Sequence, residues 1–288
     1  MTIFQQVREE IRRVLRAVGQ IRPLVPVLDD PRVSRVLRRM PGAGSLYGYG
    51  WDRRHPFDHL NGTDTSGVVE LQTIRAETDH PALAHAVVYA GSQPSVIRAA
   101  LDALPALPDA TFIDLGCGKG RGLLVAAERP FREVVGVDLS PELVGIARSN
   151  AALMEARQGG RAPIRVVVAD AASYPLPPGD LVLFFYHPFG APIFTEVLAA
   201  VERALAAERR AIYVIYYNPV LGRLFDASPA LNRRWARMVP CARGEIGYGP
   251  DAEDAVVIWQ GGDAPPPVDR ADHRIVMTVP GARAELVR

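Results

Sequence analysis

The sequence predicts an α/β protein built on a doubly wound, mostly parallel sheet. Three observations carry that prediction. Seven short β-rich runs occur along residues 93–288, the first five of them alternating with helical segments. Such alternation is the pattern of a parallel sheet with helices on both faces. The first run, TFIDL, leads directly into GCGKGRG, with glycines at 116, 118, 120 and 122. A glycine turn between a strand and a helix is where open parallel sheets bring the backbone close to a ligand.

Taken in order, Val7, Ile11, Val14, Leu15 and Val18 recur at helical spacing and predict an amphipathic helix over 4–19. Asp30-Pro31 predicts an N-cap and first position for a short helix through Arg39. Residues 41–67 combine six glycines with Tyr47, Tyr49, Trp51 and Phe57. Linkers are poor in aromatics, so this segment reads as an ordered functional loop, a lid. QPSVIRAALDAL, from residue 93, predicts a helix. The runs TFIDL (111–115), EVVGVDL (133–139), IRVVVAD (164–170), DLVLFFY (180–186) and AIYVIYY (211–217) read as strands. Between them fall helices from the glycine turn to about residue 129, from Ser140-Pro141 to about 157, and over about 192–207. DAVVIWQ (254–260) and HRIVMTV (273–279) complete the seven, expected to close the sheet as a hairpin. The expected organisation is an N-terminal helical arm and cap over 1–92 and a core over 93–288.

Bulk properties narrow the class. The 288 residues are 48% hydrophobic and 23% charged, as in ordinary globular proteins. The N-terminus MTIFQQVREEIRRVLRAVG lacks the apolar stretch of a secretory signal, and no run is long enough for a membrane helix. The expectation is a cytoplasmic protein without membrane contact. Cys117 and Cys241 form neither a metal pattern nor a disulfide framework, and no metal is expected. Residues 1–41 carry nine arginines against four acids, a local charge of +5; the rest holds 24 basic and 28 acidic residues, or −4. A negative body gives no reason to expect nucleic acid as partner. The basic arm suits an acidic partner or a solvated face.

The glycine turn separates two cofactor classes. A dinucleotide fingerprint needs glycine at the position held here by Arg121. The turn instead reads Asp114-x-Gly116-Cys117-Gly118-x-Gly120, and it resembles that of class I S-adenosylmethionine (SAM) dependent methyltransferases. That resemblance implies their seven-stranded fold and SAM as cofactor. It implies that Asp114, Gly116, Cys117, Gly118 and Gly120 line the cofactor, with Cys117 a small packing residue. Asp138 ends the second strand 22 residues after Gly116, before Leu139, where a carboxylate accepts hydrogen bonds from ribose hydroxyls. Asp170-Ala171, after the third strand, matches the adenine-holding position; the alternative for Asp170 is a turn cap. The fourth strand ends Tyr186-His187-Pro188-Phe189, where amino-group methyltransferases carry Asn or Asp, then Pro, then an aromatic. His187 takes the polar place, as hydrogen-bond acceptor or as general base near pH 7. Tyr186, His187 and Phe189 are the residues expected to face the methyl acceptor.

Over residues 93–220 the chain is similar to a bacterial group reading FxDLGxGKGR and YNPFG, itself similar to the non-SET histone-lysine methyltransferases. GTDTSG (62–67) and YAGSQPS (89–95) also resemble that group, which adds Tyr89 and Ser92 as cofactor contacts. The implied acceptor is an amine or hydroxyl of a peptide, protein or small metabolite. Lys119, the chain's single lysine, and Arg121 place two cations at a helix N-terminus, which the macrodipole disfavours. An anion nearby, or solvent, would account for them. Two other readings stand beside this one: an NAD(P)-dependent oxidoreductase on a similar sheet, and a non-catalytic SAM-binding module.

Overall fold

A computed structural model describes residues 54–69, 80–87, 89–159, 161–249, 252–266, 274–279 and 282–287. The helices expected over 4–19 and 31–39 and the aromatics Tyr47, Tyr49 and Trp51 lie outside these residues.

The strands β1 (Thr111–Leu115), β2 (Glu133–Asp138), β3 (Ile164–Val168), β4 (Leu181–Tyr186), β5 (Ala211–Tyr217), β6 (Asn232–Pro240) and β7 (Glu253–Gly262) form one sheet in the order β3-β2-β1-β4-β5-β7-β6. The first five pair in parallel; β7 runs antiparallel to both β5 and β6. Between these strands lie α3 (Arg121–Ala126), α4 (Pro141–Gln158), α5 (Ala191–Ala207) and the short α6 (Gly222–Asp226); α1 (Pro56–Asn61) and α2 (Pro94–Asp102) precede them. Two buried clusters fill the two sides of the sheet. Phe112, Phe184, Tyr213 and Tyr217 belong to one, Ile113, Phe185, Tyr216 and Trp259 to the other. Their alternation along β1, β4 and β5 is the period of 2 expected of strands covered on both faces.

Local chemistry sets the boundaries. Ser140 Oγ accepts the Leu143 N–H at 3.1 Å and Pro141 supplies the first position of α4. The His55 ring caps α1 by accepting the Phe57 N–H at 3.0 Å. The seventh strand corrects the expectation. HRIVMTV does not close the sheet: β8 (Arg274–Val279) pairs with β9 (Ala282–Val287) in a separate two-stranded ribbon. The partner of β7 is β6, NRRWARMVP, whose arginines at 233, 234 and 237 hide the strand pattern. A register shift between Arg233 and Trp235 interrupts its alternation further. Arg233 pairs with Asp226, although its buried Nη1 finds no hydrogen-bond partner among the described residues, and Arg234 donates to Gln260 Oε1 at 2.7 Å.

Candidate functional site

The strand order reverses between β1 and β4, and a cavity of about 280 Å³ opens beyond their carboxyl ends. It draws together Asp114, Gly116 and Cys117 from β1 and its turn, Asp138 and Leu139 from β2, and Asp170 and Ala171 from β3. Tyr186, His187 and Phe189 from β4 also line it, as do Tyr89 and Ser92 from the preceding segment. Gly118 and Gly120 do not reach its wall. Gly120 is the N-cap of α3, and Gly118 lies beneath the Tyr89 ring.

Gly118 shows why the turn excludes side chains. Its φ is +52°, and an added Cβ would overlap the Tyr89 ring. Its N–H donates to Asp138 Oδ2 at 2.8 Å, while the Ser140 N–H donates to Asp138 Oδ1 at 3.0 Å. Asp138 is thereby oriented at the wall of the cavity. Asp170 Oδ1 accepts the Ala172 N–H at 2.9 Å, so the turn-cap role is real; the residue still lines the cavity. Cys117 is buried, and burial pushes its thiol well above the usual range, which makes it a packing residue and not a nucleophile.

Asp114 is different. It is 3% exposed, and among the described residues no group donates a hydrogen bond to it. Burial, then the neighbouring Asp138 charge, raises its carboxyl well above the carboxylate range. A buried acid of this kind, facing a cavity, is stabilised as a carboxylate by an incoming cation.

The anions beside Lys119 and Arg121 belong to the protein itself: Asp64 of the GTDTS segment for Lys119 and Asp58 of α1 for Arg121. Arg121, 3% exposed, donates to Thr65 Oγ1 at 2.7 Å, Thr65 O at 2.9 Å, Ser92 O at 3.2 Å and Ser66 Oγ at 3.2 Å, and faces Asp58 at 3.6 Å. Asp58 is fully buried and accepts from Thr63 Oγ1, Thr65 N, Thr65 Oγ1 and Ser66 Oγ. Burial alone would raise the Asp58 carboxyl. Hydrogen bonds from Ser66, Thr63 and Thr65 and the Arg121 charge outweigh it, and the net shift is downward. Lys119 Nζ reaches Asp64 at 3.1 Å and Ser66 O at 2.7 Å. Tyr89 joins this clasp by donating its hydroxyl to Thr65 O at 2.8 Å. The segment thus holds the aromatic ring against the glycine turn. Sequence reasoning missed Asp58 as the centre of this network; an isolated acid in a short helix carries no signal of its own.

At the other end, His187 and Asn218 follow β4 and β5 with φ of +41° and +53°, the only non-glycine residues with positive φ among those described. Such backbone costs of order 1–3 kcal/mol and persists where its surroundings impose it. His187 Nδ1 lies 2.6 Å from the Tyr216 hydroxyl, and its ring stacks at 16° to both Phe194 and Tyr216. Burial lowers its pKa to about 4, so it is neutral at pH 7 and is not tuned as a base for that pH. Met238, Glu253 and Asp254 of the β6–β7 hairpin complete this end, a wall the sequence did not announce.

Residues 112–208 match the family model described as a methyltransferase domain. The chain is 31% identical over 146 residues to the ribosomal protein L11 methyltransferase of Thiobacillus denitrificans, covering 46% of this chain and 44% of that protein. It is 37% identical over 148 residues to the nocamycin O-methyltransferase of Saccharothrix syringae, covering 49% and 46%. The matches thus span less than half the length of these curated relatives. Among solved structures it is similar to the phosphoethanolamine N-methyltransferase 1 of Haemonchus contortus, with 16% identity, a TM-score of 0.43 and coverage of 62% and 44%. The glycine turn after β1 and the acids Asp114 and Asp138 at the ends of β1 and β2 all fall within residues 112–208, the segment that matches the methyltransferase-domain model.

Proposed function

We propose that this protein transfers a methyl group from SAM to a nitrogen or oxygen of a small metabolite or a peptide side chain. The observation that carries this reading is the orphaned carboxylate of Asp114 facing the same cavity as Asp138, Asp170 and the end of β4. When bound, SAM supplies an electrophilic methyl group on a sulfonium and leaves as a neutral thioether. Asp114 would be held as a carboxylate by its ammonium group, Asp138 would accept from the ribose hydroxyls, and Asp170 with the Ala171 N–H would hold the adenine. Gly116, Cys117 and Leu139 would shape the wall between them, while Tyr89 and Ser92 would cover it. Gly118 and Gly120 support the site without touching the ligand.

Tyr186, His187 and Phe189 would orient the acceptor. Alignment and exclusion of water are the main sources of rate for an in-line displacement whose leaving group needs no acid. The 1–92 segment would act as the cap; its described part already carries the Tyr89 clasp. Arg121 at the third glycine position speaks against the dinucleotide alternative. The negative charge of residues 42–288 favours a peptide or small-molecule acceptor.

Incubation with methyl-labelled SAM and a cell extract tests the function. Label in small molecules or in protease-sensitive material is expected. Label in nuclease-sensitive material would overturn the acceptor class, and no transfer would leave a non-catalytic SAM-binding protein.

A further inference from the structure

Resting on the methyltransferase reading, the hydrogen-bond pattern at the end of β4 selects the atom that is methylated. The Tyr216 oxygen accepts the Leu221 N–H at 3.4 Å, so its own proton needs a different acceptor. Among the described residues, the only acceptor hydrogen-bonded to that hydroxyl is His187 Nδ1, at 2.6 Å. If Nδ1 carried the proton, both groups would point hydrogens at one another or the buried Tyr216 O–H would be left without an acceptor. An unsatisfied buried hydroxyl is disfavoured. Tyr216 is fully buried, held between Phe185, Phe194 and Phe225, and its hydroxyl stays protonated because burial raises its pKa far above neutrality. The tyrosine therefore donates, Nδ1 accepts, and a neutral imidazole must carry its proton on Nε2.

We propose that Tyr216 is a positioning residue that fixes His187 as the Nε2–H tautomer, making His187 a hydrogen-bond donor to the acceptor substrate, whose methylated atom is a hydroxyl oxygen. Nε2 has no partner among the described residues, and His187 lines the cavity. A neutral amine has one lone pair, which must face the methyl carbon; its remaining valences are N–H donors, and a second donor from the protein opposes them. A hydroxyl oxygen has two lone pairs and one proton. One pair takes the Nε2–H bond and the other faces the methyl group. The proton goes to a carboxylate at the start of β7, where exposed Glu253 lines the same cavity and passes it to solvent. The balance closes: the O–C bond forms as the C–S bond breaks, the pair returns to sulfur, and the hydroxyl proton leaves through Glu253.

Two measurements on the full chain test this. Nitrogen-15 NMR of the histidine rings, with His187 identified by loss of its signals in His187→Ala, is expected to show an Nε2–H tautomer. Tyr216→Phe keeps the stacked ring and removes only the hydroxyl; the His187 pattern should then shift toward a tautomer mixture. Turnover should fall by about tenfold, the loss of one hydrogen bond, with affinity for S-adenosylhomocysteine (SAH) unchanged. An Nδ1–H signature, or a spectrum unaffected by Tyr216→Phe, overturns the proposal. The second measurement treats the purified labelled product with hot hydriodic acid, which releases O-methyl but not N-methyl groups as volatile methyl iodide. Volatile label supports the oxygen assignment. Label that stays behind overturns it while leaving the methyltransferase reading intact, and no labelled product at all overturns both.

Discussion

The buried pair between Asp58 and Arg121 gives the sharpest prediction for the fold around the site. Asp58 has no exposed surface and Arg121 is 3% exposed, so neither charge gains solvent if its partner is removed. Asp58→Asn would leave the guanidinium uncompensated and turn one carboxylate acceptor into an amide facing the donors of Thr63, Thr65 and Ser66. Removing one member of a buried pair costs about 3–5 kcal/mol, roughly two to three and a half powers of ten in the equilibrium it governs. Arg121→Met should cost a similar amount. The double variant Asp58→Leu with Arg121→Met should cost clearly less than the two single losses together, because no lone charge stays buried. Urea denaturation followed by circular dichroism measures the global part. Hydrogen exchange at the Thr65 amide, bonded to Asp58 at 3.0 Å, reads local opening of the clasp. If Asp58→Asn stays within about 0.5 kcal/mol of the parent on both readouts, a value typical of surface changes, or if the single losses simply add, the clasp is not an ion-paired unit.

Gly118→Ala should abolish SAH binding while the protein stays folded, because the new Cβ must displace the Tyr89 ring; calorimetric affinity equal to the parent's would refute the close approach. Stability should fall on acidification between pH 6.5 and about 4. His55 and His187, both lowered to about 4 by burial, resist the protons that the unfolded chain takes up, and Asp58 loses its depressed-pKa contribution in the acid range as well. A melting temperature flat from pH 7 to 5 would contradict this. Asp114 acts in the opposite sense: its raised pKa means the ligand-free fold binds an extra proton, so its contribution is lost as pH rises above the ordinary carboxylate range. Asp114→Asn should remove that loss in the ligand-free protein, and an unchanged pH–stability curve in the variant would argue against it. His187→Ala should cut turnover at least tenfold more than it weakens SAH, as expected of a donor to the acceptor; equal losses would make it a wall residue only.

The central sheet was legible because its strands are buried on both faces and its turns carry their own chemistry. TFIDL and AIYVIYY match β1 and β5 residue for residue, and Ser140-Pro141 marks the start of α4. β6 was not legible, since Arg233, Arg234 and Arg237 break the apolar alternation, and the partners of Arg233 and Arg234, Asp226 and Gln260, meet them only in the fold. HRIVMTV looked like a sheet strand because apolar content cannot say which neighbour a strand takes. At the site, local motifs found many of the residues that line the cavity, but not its β6–β7 wall nor the residues that position them. Asp58 meets Arg121 across 63 residues, and Tyr216 is one of several aromatics in β5 until its hydroxyl is seen beside His187. The same limit left the two cations of the glycine turn between a nearby anion and solvent, where the fold gives them Asp64 of GTDTS and Asp58 of α1.

The most direct test is titration of SAH into the purified protein and into Asp138→Ala. Saturable one-site binding to the parent, no binding of NADH, and SAH affinity at least tenfold weaker in the variant are expected, the last being the scale of a lost charge-assisted hydrogen bond. Binding of NADH in place of SAH, or SAH affinity indifferent to Asp138, would contradict the methyltransferase reading.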